Sequence, residues 1–180
     1  MPIHGKTIQY EKPPMGLNAA VIAGVYDIGT HKFEWKGEVS ENPQVIIAIE
    51  LEETQADGEF KGQPFRIYKF NSLYMSKNAK LRKDVGAILG RSLSDSEARD
   101  YDLESLVGVN CYVNLIGDGD KYKIDSFSAA NKRSPVLKPV MDKEPEFVTK
   151  KRAESIEAKS GGFRNDAPPA DSEDLPEFLR

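Results

Sequence analysis

Apolar and polar residues alternate with a period of two in several short stretches of this chain, a pattern typical of β-strands with one face in a core. In the stretch QVIIAIELE, Val45, Ile47 and Ile49 fall on one face, while Ala48 and Glu50 fall on the other. The strands predicted in this way are residues 17–28, residues 44–52, a third strand that begins at Gln63, residues 109–116 and residues 121–128.

A helical period separates the third predicted strand from the fourth. Apolar side chains recur there at i, i+4, i+7 and i+8, which is the buried stripe of a helix. These residues are Leu81, Val85, Ile88 and Leu89. Beyond them, Ser94 and Glu97 match a capping box and predict that a second, short helix begins there.

The order strand, strand, strand, helix, strand, strand predicts a mainly β domain over residues 16–141, built as a five-stranded OB-fold-like barrel. The OB-fold is a partly open barrel that binds oligonucleotides on its second and third strands. Gly24 predicts a bulge in the first strand, and Gly119 lies in a tight hairpin turn. Residues 1–15 are expected to form an extended leader, and residues 29–43 a polar loop. Another small barrel, or an α+β sheet with an inserted helix, is the alternative fold.

Positive charge is concentrated between Gln63 and Arg91, where seven basic residues face one acid, Asp84, although the whole chain has a net charge of -4. The third strand places Phe65 and Ile67 on an apolar face and leaves its other face aromatic and basic. A stacking face followed by a basic helix start predicts a groove for a polyanion with exposed bases. The simpler interpretation is a core strand and a solvated helix without a ligand.

The predicted groove has two basic sides and several candidate stacking rings. One side consists of Arg66, Lys69, Lys77, Lys80, Arg82, Lys83 and Arg91, and the other of Lys121, Lys123, Lys132 and Arg133. The candidate stacking rings are Trp35, Tyr68, Phe70 and Tyr74. Lys69 lies on the Phe65 side of strict alternation, so it is expected to reach the groove only by extending along the strand.

Composition excludes several other functions. Of the residues, 39% are hydrophobic, and no window approaches the roughly 20 apolar residues of a membrane span, so we expect a soluble, cytoplasmic protein. Cys111 is the single cysteine and is expected to be buried; with only two histidines beside it, no soft-ligand metal site is predicted. No nucleophile paired with a base and no phosphate-binding glycine loop is present, so the chain is predicted to be neither an enzyme nor a cofactor-binding protein.

The C-terminal stretch differs from the rest of the chain. Residues 142–180 contain seven basic and ten acidic residues with little periodicity, which predicts a largely disordered tail with a transient helix at residues 146–159. Its end places carboxylates before a proline and an aromatic anchor, a pattern suited to docking on a partner protein. The candidate partner-binding residues are Asp171, Glu173, Asp174, Leu175, Pro176 and Phe178.

Two stretches resemble single-stranded DNA-binding proteins. The end DSEDLPEF is similar to the acidic tip of that family, although Leu179 and Arg180 follow the phenylalanine that normally closes it. The segments SLYMSKNAKLRKDVGAILGR and YDLESLVGVNCYVNL resemble the OB-fold single-strand binders of phages and prophages. The resemblance implies docking of replication or recombination proteins on the tip, or competition of the tip with DNA.

The residues and the resemblance together predict a sequence-independent single-stranded DNA-binding protein of phage-type replication or recombination. A homodimer is compatible with this prediction. The alternative is an OB-fold interaction module that recruits a replication or recombination enzyme without binding DNA itself.

Overall fold

The structure of the protein is a computed structural model that describes residues 10–160. Its strands are β1 (Gly16–Trp35), β2 (Glu38–Thr54), β3 (Pro64–Ser72), β4 (Asn110–Asp118) and β5 (Lys121–Ala129). Its helices are α1 (Lys80–Leu89), α2 (Asp95–Arg99), α3 (Glu146–Ala153) and α4 (Ile156–Lys159), with a 3-10 turn at Leu103–Leu106. The strands form one antiparallel sheet in the order β3-β2-β1-β4-β5. The mainly β fold with a helix between the third and fourth strands is therefore confirmed.

The sheet is not closed into a barrel, which corrects that part of the prediction. The two edge strands, β3 and β5, do not pair with each other, and α1 packs against both of them. Side chains bridge the gap instead: the Lys69 ammonium on β3 lies 2.9 Å from a carboxylate oxygen of Asp84 on α1 and 5.1 Å from the ring centre of Phe127 on β5. The helix thus fills the space that strand pairing would otherwise close.

The core lies between the inner face of the sheet and α1. It contains the alternating residues Ile47 and Ile49 of β2 together with the helical stripe Leu81, Val85 and Ile88. These positions confirm the two periods read from the sequence. At the end of α1, Gly90 adopts a left-handed conformation (φ 73°), and a Cβ there would lie 2.7 Å from the Cβ of Ala129, so a side chain would push α1 away from β5.

The first two strands are longer than predicted. The polar loop expected at residues 29–43 is instead a two-stranded ribbon, in which β1 continues to Trp35 and pairs with β2 from Glu38 onward. The connecting turn has positive φ at both Lys36 (49°) and Gly37 (81°), the geometry of a two-residue hairpin turn. We call residues 30–43 the β-arm. The predicted bulge is confirmed, because the β1–β2 register shifts between Ile22 and Gly24.

Other local predictions are confirmed, except that the inward-facing positions of β5 change after a bulge. Ser94 and Glu97 form the predicted capping box, and Cys111 is buried in the core. Burial raises the pKa of the Cys111 thiol to about 12, so it is a structural residue. In β5, a bulge opposite Asn114 and Leu115 shifts the register, and Phe127 is buried where strict alternation had placed Ser126 on the inner face.

The chain after β5 folds back over the sheet, so the prediction of disorder is wrong for residues 142–160. We call residues 136–160 the C-terminal strap; it contains α3 and α4, and it crosses the outer face of β1, β2 and β3. The predicted helix at residues 146–159 corresponds to these two helices. No helix within residues 10–160 is long and apolar enough to cross a membrane.

Candidate nucleic-acid interface

The two faces of β3 differ as the alternation predicts. Phe65 and Ile67 are buried in the core, whereas Arg66, Tyr68 and Phe70 lie on the outer face. Phe70 is 50% exposed, and it pairs across the sheet with the buried Ile46 of β2. Of these three outer residues, Phe70 alone presents a large exposed ring to solvent.

Tyr68 is partly buried and does not present a free ring, and its role in stacking on a base stays a prediction. Phe147 of α3 contacts it edge to face, with ring centres 4.6 Å apart and ring planes at 77°. The two rings belong to a small apolar cluster around Ile28, Ile46 and Val148. Burial also raises the pKa of the Tyr68 phenol. The strap therefore contacts the Tyr68 ring and covers part of the outer face of β3.

A buried carboxylate lies in the middle of the same outer face. Glu50 of β2 is 1% exposed, and its two oxygens accept the backbone N–H groups of Val140 and Met141, each at 2.7 Å. Arg66 donates to the same carboxylate at 3.3 Å, so Arg66 is engaged in an ion pair rather than free for a phosphate. Alternation places Glu50 on the polar face of β2, but its partners were not predicted. The one available signal was a carboxylate within an otherwise apolar strand.

Two further predicted groove residues have structural partners. Lys69 points toward the core side, where it contacts Asp84 of α1 and Phe127 of β5. It does not extend along β3 toward the predicted groove. Arg82 is 12% exposed; it donates to the Leu93 carbonyl at 2.7 Å and to Asp95 at 2.7 Å. These contacts join α1 to the start of α2, and they leave neither cation available to a ligand without breaking the fold locally.

The remaining predicted cations are exposed. Arg91 forms an ion pair with Glu97 at 3.0 Å. The other cations form no ion pair with any residue between 10 and 160; they are Lys77, Lys80, Lys83, Lys121, Lys123, Lys132 and Arg133. Lys77, Lys80 and Lys83 follow β3 directly, at the start of α1 and just before it. They form the basic segment closest in sequence to Phe70.

The remaining candidate rings lie on the β-arm and in the loop between β3 and α1. Trp35 is 51% exposed near the tip of the β-arm, and the Lys36 ammonium lies 5.9 Å from its ring centre. Tyr74 is partly buried in the loop between β3 and α1, and burial raises its pKa. The N–H of Leu73 donates to the Pro43 carbonyl at 2.8 Å, which fixes this loop at the base of the β-arm.

An acidic cavity lies elsewhere on the molecule. It has a volume of about 410 Å³ between β1, the 3-10 turn and the strap, and Glu104, Asp142 and Glu144 line it together with Lys143. A hydrogen bond from Arg152 lowers the pKa of Glu144, although partial burial opposes the shift. These carboxylates do not suit a phosphate, so we leave the cavity out of the candidate interface. Within the described chain, no cluster of three or more His, Cys, Asp or Glu side chains is arranged to hold a metal ion.

The predicted partner-binding tip, Asp171 to Phe178, lies outside the described residues. Searches against protein-family models, curated proteins and solved structures find no match to this chain.

Proposed function

We propose that this protein binds single-stranded DNA without sequence preference, in phage-type replication or recombination. The observation that carries the proposal is the half-exposed ring of Phe70 near the end of β3, followed in the chain by three exposed lysines, before and at the start of α1, that form no ion pair with any described residue. In this revised interface Lys77, Lys80 and Lys83 neutralise phosphates, and Phe70 stacks on a base. Trp35 on the β-arm is a second stacking ring.

Each group has a defined physical role in the proposal. Ammonium groups bind phosphates and release condensed counterions, which provides affinity that depends on salt but not on sequence. Aromatic rings stack on exposed bases and contribute about 1 to 3 kcal/mol per base, which favours single strands over duplexes. Arg66, Lys69 and Arg82 are left out of the revised interface because they hold Glu50, Asp84 and Asp95.

The fold lends support at a coarser level. We propose that the sheet is an open form of the OB architecture, because its strand order and its helix between β3 and β4 suit that fold. The sequence resemblance to phage and prophage single-strand binders covers the loop after β3, α1 and the first part of β4, and this segment contains the three lysines.

Fluorescence anisotropy with labelled oligo-dT, compared with a duplex of equal length at two salt concentrations, tests the proposal. We expect preference for the single strand and a steep loss of affinity with salt. The double variant Lys80→Glu, Lys83→Glu should bind at least about tenfold more weakly at low salt, with a salt slope lower by about 2.

The matched control makes the same change of net charge elsewhere. Lys61 and Lys138 are exposed and form no ion pair with another described residue, and they lie outside the proposed interface. The variant Lys61→Glu, Lys138→Glu should lose much less affinity. Equal losses in the two double variants would reduce the interaction to net charge and remove the assigned interface.

A second candidate function is supported by the covered outer face. Phe147 contacts the ring of Tyr68, and the Glu50 carboxylate lies on the same outer face. This arrangement fits a protein-interaction module that recruits a replication or recombination enzyme without contacting DNA. The same titration separates the two functions, because a module of this kind would leave both oligonucleotides unbound even at low salt.

A further inference from the structure

The outer face of β3 has an exposed aromatic side chain next to one that the strap covers. Phe70 is half exposed, and Tyr68, two residues earlier on the same face, lies under Phe147 of the strap. We propose that α3 and α4, residues 146–160, form a displaceable cover, and that Tyr68 beneath it is a latent continuation of the stacking surface. The proposal rests on the proposed function, because the ligand that displaces the cover is single-stranded DNA.

The cover is held by few apolar contacts. Val148 is its one fully buried apolar side chain, and Phe147 is partly buried against Tyr68. The Pro145 cap of α3 makes no side-chain hydrogen bond, and no residue of α4 itself is buried. Segments with so few buried apolar contacts open at a lower free energy than the core beside them.

Polar contacts attach the cover to β1, beyond the part of that strand that pairs with β4. Arg152 donates to the Asp27 carbonyl at 2.9 Å, and Glu157 accepts from the Thr30 N–H at 2.8 Å. Arg152 also holds Glu144 through two hydrogen bonds, but that contact lies within the strap. Water can replace such contacts when the cover leaves, so opening costs little beyond the loss of the small apolar cluster.

The chain just before the cover is held much more firmly. Asn110 both donates to the Leu137 carbonyl and accepts its N–H, and Glu50 accepts the N–H groups of Val140 and Met141. These anchors lie on buried or half-buried β-strand residues. Opening therefore hinges between Met141 and Pro145, and the anchored part of the strap stays on the sheet.

The displacement follows from competition for one surface. Phe147 contacts the ring of Tyr68 edge to face and packs with it in one apolar cluster, so a base that stacks on Tyr68 has to enter the space that α3 now covers. A strand that stacks on Phe70 and extends along β3 meets Phe147 next. Binding is then weakened by the fraction of molecules in which the cover is closed, and any change that opens the cover strengthens binding.

The first test follows amide hydrogen exchange in the full-length protein. In the free protein, the amides of α3 should exchange faster than those of α1; when oligo-dT is added, exchange in α3 should accelerate further while exchange in α1 does not. Exchange in α3 as slow as that in α1, or slower exchange in α3 on addition of oligo-dT, would contradict a displaceable cover.

Phe147→Ala tests the competition directly. Oligo-dT should bind this variant about tenfold more tightly, as expected if the open fraction rises from about a tenth to near unity. Phe60→Ala is the matched control, because Phe60 is an exposed phenylalanine in the β2–β3 loop. It should leave the affinity unchanged.

A second variant opens the cover from the other side. Gly29 has a φ of 78°, and a Cβ there would lie 2.6 Å from the Cβ of Ser155 in the cover. Gly29→Ala should therefore displace α4 and raise oligo-dT affinity several-fold. Gly62→Ala imposes a similar strain (φ 81°) but its Cβ meets no atom within 4 Å, so it controls for the backbone.

The outcomes separate the two proposals. If no variant binds oligo-dT, the proposed DNA-binding function fails. If the wild type binds but Phe147→Ala and Gly29→Ala bind no more tightly than their controls, DNA binding stands and the cover is a permanent layer.

Discussion

The inner and outer faces of one sheet are covered in two different ways. Inside, β2 and β3 contribute Ile47 and Ile67 to a continuous apolar core that α1 completes. Outside, the strap is fixed mainly through a buried carboxylate, Glu50, and through the side chain of Asn110, with only a small apolar cluster beneath α3. Apolar packing spreads stabilisation over many residues, whereas the outer layer depends on a few polar partners. The outer layer is therefore the one that a ligand or a single substitution can change.

Truncating one buried side chain in each layer should give the largest difference in the free energy of unfolding. Ile47→Ala removes a fully buried side chain from the inner core and should lower the free energy of unfolding by about 4 kcal/mol. Val148→Ala, also fully buried but in the outer cluster, should cost about 2 kcal/mol or less, because it removes two methyl groups from a layer that can relax. Urea denaturation measures both. Equal losses would mean that the outer layer is packed as firmly as the core.

Glu50 tests whether polar contacts hold the outer layer. Glu50→Leu leaves the N–H groups of Val140 and Met141 without their acceptor and should cost about 2 to 3 kcal/mol in the free energy of unfolding. The exposed Glu52, two residues along the same strand, provides the control; Glu52→Leu should change the free energy by less than about 0.5 kcal/mol. Exchange of the Val140 and Met141 amides should accelerate in the first variant alone. Unchanged exchange there would mean that other contacts hold the strap.

The inner layer could be predicted from the sequence because its signals are local. The spacing of Leu81, Val85 and Ile88 defines one face of a helix, and Ser94 with Glu97 caps the next helix, within a few residues in each case. These patterns need no knowledge of the rest of the fold.

The outer layer could not be predicted because its contacts join distant parts of the chain. Glu50 meets Val140 and Met141 about ninety positions later, and nothing in the polar composition of the strap indicates that pairing. The β-arm was missed for a related reason, since its turn is Lys36-Gly37 rather than the more typical Asn-Gly or Asp-Gly. Among the candidate site residues, exposure of Phe70 follows from alternation, whereas the cover over Tyr68 does not.

Arg82 and Lys83 are neighbouring cations on α1, and we expect the first to stabilise the fold and the second to bind the ligand. Arg82→Ala removes a shielded hydrogen bond to the Leu93 carbonyl and should cost about 1.5 kcal/mol in the free energy of unfolding. The ion pair with Asp95 adds little, because Asp95 is exposed. Lys83→Ala should leave stability unchanged and weaken oligo-dT binding measured by anisotropy. If Arg82→Ala leaves stability intact while affinity alone falls, Arg82 belongs to the interface after all.

Acid should loosen the outer layer before the inner one, and this is the smallest effect that we expect. The hydrogen bond from Arg152 lowers the pKa of Glu144; for Glu157, burial alone would raise the pKa, but hydrogen bonds from Thr30 outweigh it and lower the pKa. Both folded-state pKa values are lowered, so the contacts of Glu144 with Arg152 and of Glu157 with Thr30 are complete above the ordinary glutamate pKa of about 4.3. They are lost as the pH falls through the folded-state pKa values.

The measurement is the ratio of amide protection in α3 to that in α1 as the pH is lowered, since a ratio cancels the intrinsic pH dependence of exchange. We expect the ratio to fall below about pH 4.3 in the wild type. In the double variant Glu144→Gln, Glu157→Gln it should start lower and stay flat, because the amides cannot lose a charge. A wild-type ratio that stays constant with pH would show that these carboxylates do not hold the cover, and would leave the apolar contacts of Phe147 and Val148 and the hydrogen bond from Arg152 to the Asp27 carbonyl to do so.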